Sequence, residues 1–489
     1  MASTFQLCYT VGLMATDQRE RAEAVTRSRE RALLAALFVL GFCVRSLFAD
    51  GDFFGDESWY FYLSQGFGRE PAVQFEQPWF HIANRPLFYA FYHLSTYGGL
   101  LSFRLLGCSV GALVPVLAFV AARRFGASLL SAAVSACFLS VHAQQVRYSG
   151  AVFPDPLAAA FGLGAVWAVA ARAPAAACAL TICCVASKES FVAVPALIVS
   201  LDLLMQRERA ERLRLTRWHL LTFCLPVAYV CVLTGIALTS SSLRLQGWAN
   251  APFSLRHARS MWVGWELWPW LAWLAWRRQW RTLTLWLALP LFYLLWSRGL
   301  GRGLAPWYVI GPAAFSCVAV ALALDSVYAA CSGWAAPQLR AATTRLALAL
   351  CLLCLLPIPL VGLAQVRAQW RQLGGRFPKP DAATRVRAVI AQQEPAHLLL
   401  VDCFWAYRYS HLRWGEPSQS AWWYSENETH EVIDNAETSS LIVTCKVPGR
   451  EPIEQRLSRA PFKALYEDAN YLVSAPRSSS GTPSHAVRD

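Results

Sequence analysis

Several short segments of this chain place ionisable residues where a mainly apolar sequence has no structural need of them. In GDFFGDESWYFYL, Asp56 and Glu57 follow Gly55 and precede an amphipathic aromatic run (Trp59, Tyr60, Phe61, Leu63), with Asp50 and Asp52 close by. In GAVFPDPLAAAF, Asp155 stands between two prolines, and in ASKESFVAVPAL, Lys188 and Glu189 interrupt an apolar stretch. Arginines recur at Arg85 (IANRPLFY), at Arg256 and Arg259 (SLRHARS), and at Arg298 and Arg302 (SRGLGRGLAPWY). Adjacent carboxylates beside aromatic rings suit a general base or a cation site held where a lipid headgroup meets water. The same acids suit a helix N-terminus, where Asp is a favoured cap and negative charge is stabilised, so spacing leaves both readings open. Asp155 suits an Asp-Pro turn as well as a partnership with Lys188, whether structural or functional. Guanidinium groups bind phosphate through two parallel hydrogen bonds, although a lone arginine near a membrane also snorkels toward headgroups.

These residues sit in a chain of 489 residues that is 56% apolar and only 15% charged, against roughly 25% charged in average soluble domains. That balance, with 21 tryptophans, excludes a single soluble globule and defines a multi-pass membrane protein. The net charge of +13 comes from 44 basic and 31 acidic residues. Much of the arginine lies in short clusters between apolar runs, which reads as membrane topology and not as a nucleic-acid surface. Most of the 15 cysteines are inside apolar stretches and act there as small apolar residues, including the C-x-x-C of Cys351 and Cys354, which has no second pair. No HExxH or Walker spacing is present, and the GxSxG at Gly107–Gly111 (GCSVG) lies inside a long apolar run with no strand before it, which removes the common protease, hydrolase and ATPase readings.

A helix needs about 20 apolar residues to cross the hydrocarbon core. Segments near 32–49, 102–122, 127–144, 156–171, 174–187, 190–205, 219–239, 261–276, 282–297, 305–328 and 345–364 come close enough to suggest about eleven spans. The 86–101 stretch, rich in Tyr, His and Gly, reads as interfacial. Five arginines between Arg19 and Arg31 place the N-terminal segment (1–31) in the cytoplasm, and the Arg-rich 207–217 loop then falls on the same side. The expected organisation is a mainly α transmembrane domain over 32–364, with a catalytic outer loop at 50–101. A small extracytoplasmic α/β domain follows over 365–475, and then a disordered tail, 476–489. In the α/β domain His397–Val401 and Leu441–Thr444 read as strands and 381–393 as helix. Cys403 and Cys445 each follow a strand, and they can pair if the strands are neighbours in an oxidising compartment.

The order of these features resembles the GT-C superfamily of membrane glycosyltransferases. The likeness covers roughly 32–330 and is clearest in FFGDESWYFYL, NRPLFYAFYHL, SFRLLGCSVGALVPVLAFVAARRFG, FPDPLAAAFGLGAVW and SKESFVAVPAL. These segments are similar to those of the family 39 group of protein mannosyltransferases and lipid A aminoarabinose transferases. The resemblance implies transfer of a sugar, mannose-like, from a polyprenyl- or dolichyl-phosphate donor to a hydroxyl of a glycolipid, glycan or protein acceptor on the extracytoplasmic face, with inversion. By analogy Asp56 is the general base, and Glu57 helps hold the acceptor or a divalent cation. Lys188 with Arg298 or Arg302 neutralises the leaving phosphate, Asp155 orients Lys188 or a metal, and Arg85 and Tyr308 bind substrate. Any metal would fall on Asp56, Glu57 or Asp155.

The chain departs from the family pattern at NRPLFY, where two prolines are usual, and in LAPWYVIGP, which only approximates the family's Arg-Tyr-rich stretch. GFGREPAVQFEQPWFHIANRPLFY is also similar to the family 22 mannosyltransferases of glycolipid assembly, whose His-Lys-Glu motif is missing. Two other function classes compete. A transporter or flippase of lipid-linked sugars would favour inverted repeats and paired broken helices, and no internal repeat is found. A non-catalytic scaffold would tolerate replacement of Asp56. The Ala-, Arg- and Leu-rich composition favours a bacterial inner membrane over the endoplasmic reticulum.

Overall fold

The computed structural model describes residues 28–47, 57–67, 82–239, 277–299, 306–334, 380–393 and the strand segments between 397 and 476, with a few isolated positions besides. Its helices are α1 (28–46), α2 (Glu57–Gln65), α3 (Pro86–Thr96), α4 (Gly99–Arg124), α5 (Leu129–Ser140), α6 (Ala143–Gly150), α7 (Pro154–Ala170), α8 (Pro174–Ser187), α9 (Val194–Glu208), α10 (Arg217–Thr239), α11 (Trp280–Gly299), α12 (Ile310–Trp334) and α13 (Pro380–Gln393). Short 3-10 turns, Glu189–Phe191 and Pro306–Val309, precede α9 and α12. Among the described residues four helices are long and apolar enough to cross a membrane, or five if the α5–α6 pair, bent by 56°, counts as one broken span. The protein is thus a mainly helical, multi-pass membrane protein with a small C-terminal sheet. Two of the eleven expected spans fall on α7 and α8, of 17 and 14 residues. At 1.5 Å per residue these reach about 25 and 21 Å, short of a full crossing. The 261–276 and 345–364 segments lie almost wholly outside the described residues.

The chain divides into two compact units. The first comprises Met1–Ser46, Cys108–Ser149 and Pro154–Gly362. Its centre is the antiparallel hairpin of α7 and α8, with α12 packed on α7. The hairpin turns at Ala171–Ala173, where Arg172 takes φ 59, and prolines at the first positions of both helices start them without an unsatisfied N–H. Small residues let the helices approach closely. A Cβ on Gly162 of α7 would come within 2.6 Å of Phe315 Cζ on α12, and one on Gly311 of α12 within 2.7 Å of Phe191 Cζ. Each phenyl ring therefore seats on a glycine of the facing segment. Gly162→Val is expected to cost about 1–3 kcal/mol through overpacking, measurable as a lowered thermal midpoint of the full chain in detergent. An unchanged midpoint would contradict this packing.

Polar residues tie the same bundle. Ser128 caps α5 by accepting from Ser131 N at 3.2 Å, and Asp325 of α12 accepts from Ser128 N and from Ser131 Oγ, placing a carboxylate at the positive end of α5. Arg45, fully buried on α1, donates to Gly41 O at 2.9 Å and Ser140 O at 3.0 Å. It fits because Gly111 has no side chain, since a Cβ there would lie 2.7 Å from Arg45 Nε.

The second unit comprises Leu47–Gly107, Gly150–Phe153 and Leu363–Asp489. Its sheet has the order β2-β1-β3-β5-β4, with β1 (His397–Val401), β2 (Ser418–Ala421), β3 (Ser440–Cys445), β4 (Phe462–Glu467) and β5 (Tyr471–Pro476). Strands β1, β2 and β3 run parallel, β5 runs antiparallel to β3, and β4 pairs antiparallel with β5 at the edge. Val386 of α13 packs on Leu441, Val443, Tyr471 and Val473, giving this sheet its own small core. The two strands and the helix read from the sequence are present, and β1 and β3 are neighbours with His397 opposite Ser440. Cys403 lies outside the described residues, as does the 476–489 tail beyond its first residue.

Candidate active site

In the first unit the α7–α8 hairpin brings its two open ends together. Asp155 occupies the first turn of α7 after Pro154, where its charge complements the helix N-terminus. Lys188 closes α8. Its extended backbone (φ −157, ψ 113) ends the helix, and its N–H donates to Cys184 O and Val185 O, both at 3.2 Å. The side chains meet with Lys188 Nζ 4.0 Å from Asp155 Oδ2, at 2% and 1% exposure. Lys188 Nζ also lies 5.8 Å from the centre of the Tyr308 ring, a cation–π arrangement. Tyr308 stacks on Tyr293 at 5.7 Å, and Tyr293 on Trp296 at 6.0 Å; the Tyr293 hydroxyl donates to Ser190 O at 3.0 Å. The result is a buried ammonium walled by aromatic rings and faced by one carboxylate, in a setting where electrostatic attraction exceeds that in water. Chemically this can hold an anion such as a phosphate.

In the second unit Glu57 opens α2. Asp56 lies outside the described residues. Glu57, fully buried, receives Arg104 Nε at 2.8 Å and Arg104 Nη2 at 2.7 Å, a two-pronged ion pair, and Arg104 Nη1 donates to Ala49 O at 3.2 Å. Arg104 thereby ties the start of α2 and the chain before it to α4. One turn on, Tyr60 packs edge-on against Phe88 and Phe153 at 5.3 and 5.4 Å. Arg85 donates to the Tyr60 hydroxyl at 3.3 Å with its guanidinium 5.5 Å above the ring. His93 Nδ1 lies 2.7 Å from Ser64 O at the far end of the helix.

Of the residues expected at the site, the structure brings together Asp155, Lys188 and Tyr308 in one unit, and Glu57 and Arg85 around α2 in the other. Arg298 lies on the last turn of α11, and Arg302 is outside the described residues. Glu57 and Asp155 each face a basic side chain, an arrangement that opposes a metal ion at either carboxylate. No group of three or more His, Cys, Asp or Glu side chains able to hold a metal occurs among the described residues. Two functional neighbours escaped sequence reasoning. Arg104 is a single arginine inside the apolar SFRLLGCSVGALV run, and an intramembrane charge of that kind is itself a signal that a partner exists. Tyr293 stands three residues before Trp296 in LFYLLW, a spacing that puts both on one helix face.

The helical bundle and the small parallel–antiparallel sheet together form a fold already seen among solved structures. Among solved structures, the chain is similar to the archaeal oligosaccharyltransferase AglB from Archaeoglobus fulgidus, in complex with an inhibitory peptide and a dolichol-phosphate. The TM-score is 0.54 and the identity 12%, over 86% of this chain and 70% of that one. ArnT from Cupriavidus metallidurans, bound to undecaprenyl phosphate, matches with TM-score 0.49 and 17% identity over 93% of this chain and 99% of that one. The apo form of the Archaeoglobus fulgidus oligosaccharyltransferase matches with TM-score 0.49 and 12% identity over 79% of this chain and 60% of that one. No family model matches the chain, and no curated protein matches it in sequence.

Proposed function

We propose that the protein is an integral membrane glycosyltransferase. It moves a sugar, mannose-like in class, from a polyprenyl- or dolichyl-phosphate donor to a hydroxyl of a glycolipid, glycan or protein acceptor on the extracytoplasmic face. The observation that carries this reading is the Lys188 ammonium, 2% exposed and framed by Asp155 and the Tyr308 ring. A buried cation beside a carboxylate and an aromatic ring suits a phosphate monoanion or dianion. The dolichol-phosphate in the AglB complex, which shares this fold, supports the donor class.

In the proposed reaction Asp56 accepts the proton of the acceptor hydroxyl as its oxygen attacks the anomeric carbon. The bond from that carbon to the donor phosphate oxygen breaks, and its electron pair leaves with the polyprenyl phosphate. Attack from the opposite face inverts the anomeric centre. Charge growing on the leaving phosphate is stabilised by Lys188, aided by Arg298 and Arg302, through preorganised electrostatics in a dry setting. Glu57, held by Arg104 through both carboxylate oxygens, fixes the start of α2 one residue after Asp56.

Membranes containing the protein, supplied with a polyprenyl-phosphate mannose labelled in the sugar, are expected to release polyprenyl phosphate and label an acceptor. Asp56→Asn is expected to slow this by about 10²–10⁴-fold, the range for a lost general base, at unchanged protein yield. Turnover by Asp56→Asn near that of the unaltered protein would remove the assignment.

A further inference from the structure

A cavity lies at the closed end of the α7–α8 hairpin, about 20 Å along α8 from Lys188. It has a volume of about 330 Å³ and is walled by Ala177, Ile198 and Val199, with Trp218 at its edge. Its mouth is the 209–217 segment, whose Arg209, Arg212 and Arg214 line it together with Arg172.

The acidic groups of this cavity are already committed. Thr216 N donates to His219 Nδ1 at 2.9 Å, so Nε2 carries the ring proton and is 2.8 Å from Asp202 Oδ2. Gln206 Nε2 donates to the same oxygen at 2.9 Å, and Gln206 Oε1 accepts from Arg214 N at 3.0 Å, which pins the segment to α9. Glu211 is paired with Arg172 at 3.2 Å. With Glu211 offset by Arg172 and Asp202 still charged, Arg209, Arg212 and Arg214 leave the lining of the pocket net positive by two. The helices that bound it, Glu189–Glu208 and Arg217–Ile236, are both long and apolar enough to cross a membrane, and the cavity sits where one ends and the other begins. Two spanning helices that meet there would put the cavity at the bilayer surface, the level where tryptophans such as Trp218 gather.

We infer that this cavity is a binding site for an anionic phospholipid. The phosphodiester would be held by Arg209, Arg212 and Arg214, and the upper acyl chain would lie on Ile198 and Val199. Basic pockets between membrane helices take such headgroups, and guanidinium matches phosphate geometry. The apolar wall beneath the arginines selects a lipid over free phosphate. This inference stands apart from the sugar-transfer reading, and its test measures binding alone.

The experiment titrates the full-length protein in a neutral detergent with phosphatidylglycerol, phosphatidylcholine or sodium phosphate, and follows thermal unfolding. Phosphatidylglycerol is expected to raise the midpoint saturably, with the other two giving no shift. Arg209→Gln/Arg212→Gln, at exposed positions, is expected to weaken the apparent affinity about 30-fold, roughly fivefold per arginine. Val199→Trp, which fills the wall without altering charge, is expected to abolish the saturable shift. An equal response to phosphatidylcholine or to phosphate alone would overturn the inference, as would an unchanged affinity in either variant.

Discussion

Lys188→Met is expected to abolish transfer from a lipid-phosphate sugar and to cut the yield of folded protein. Asp155→Asn/Lys188→Met is expected to recover the yield but not the transfer. The two effects have separate causes. With both side chains almost wholly buried, removing the ammonium alone leaves the Asp155 carboxylate in a low-dielectric interior without its counter-charge. Breaking a buried pair this way costs about 3–5 kcal/mol, whereas replacing both members by neutral groups is often close to neutral. Loss of one preorganised group that stabilises developing charge lowers turnover by about 10²–10³-fold, and restoring the fold does not restore that group. Thermal unfolding in detergent and turnover of labelled polyprenyl-phosphate sugar, measured on all members of the cycle, separate the terms. Wild-type turnover by the double variant would make the pair a structural tie and remove Lys188 from the chemistry. Asp155→Asn alone is expected to retain part of the turnover, because the cation proposed to face the phosphate is still present.

The helical membrane bundle, the small C-terminal sheet and the closeness of Asp155 to Lys188 could be read from the sequence because each follows from local rules. Apolar run length gives helices, the prolines at 154, 156 and 174 mark where α7 and α8 begin, and Arg172 marks where the hairpin turns. Two antiparallel helices of similar length must bring the first residue of one near the last of the other. Span number was less legible because apolarity does not report length. PAAACALTICCVAS is as apolar as a crossing helix but makes only 14 residues, ended by the extended backbone of Lys188. Partnerships between segments far apart in sequence were not legible at all. Nothing in GDESWYFYL announces Arg104, 47 residues away, and Glu57 read from its neighbours looks like a second reactive acid. Only folding α4 against α2 turns that carboxylate into an anchor.

Arg104→Met, for the same reason, is expected to be among the most damaging substitutions in the second unit. Arg104 and Glu57 are 1% and 0% exposed, and the fork of two bonds at 2.7 and 2.8 Å leaves little room for water to replace the guanidinium. An isolated carboxylate in that position costs about 3–5 kcal/mol, a large share of the stability of an ordinary domain. The positive end of α2 offsets only a part of it, about 0.3–1 kcal/mol. Arg104→Lys keeps the charge but loses the planar fork and the bond to Ala49 O, so an intermediate loss is expected. Glu57→Gln/Arg104→Met, with no buried charge left, is expected to fold better than Arg104→Met alone. Asp56 is the residue before α2, so a looser anchor should misplace the proposed base without touching the donor. Arg104→Lys is therefore expected to lower kcat while leaving the donor KM nearly unchanged, a split that general destabilisation does not produce. An Arg104→Met protein with the unaltered thermal midpoint, or a kinetic loss confined to KM, would show that the start of α2 is held by something other than this pair.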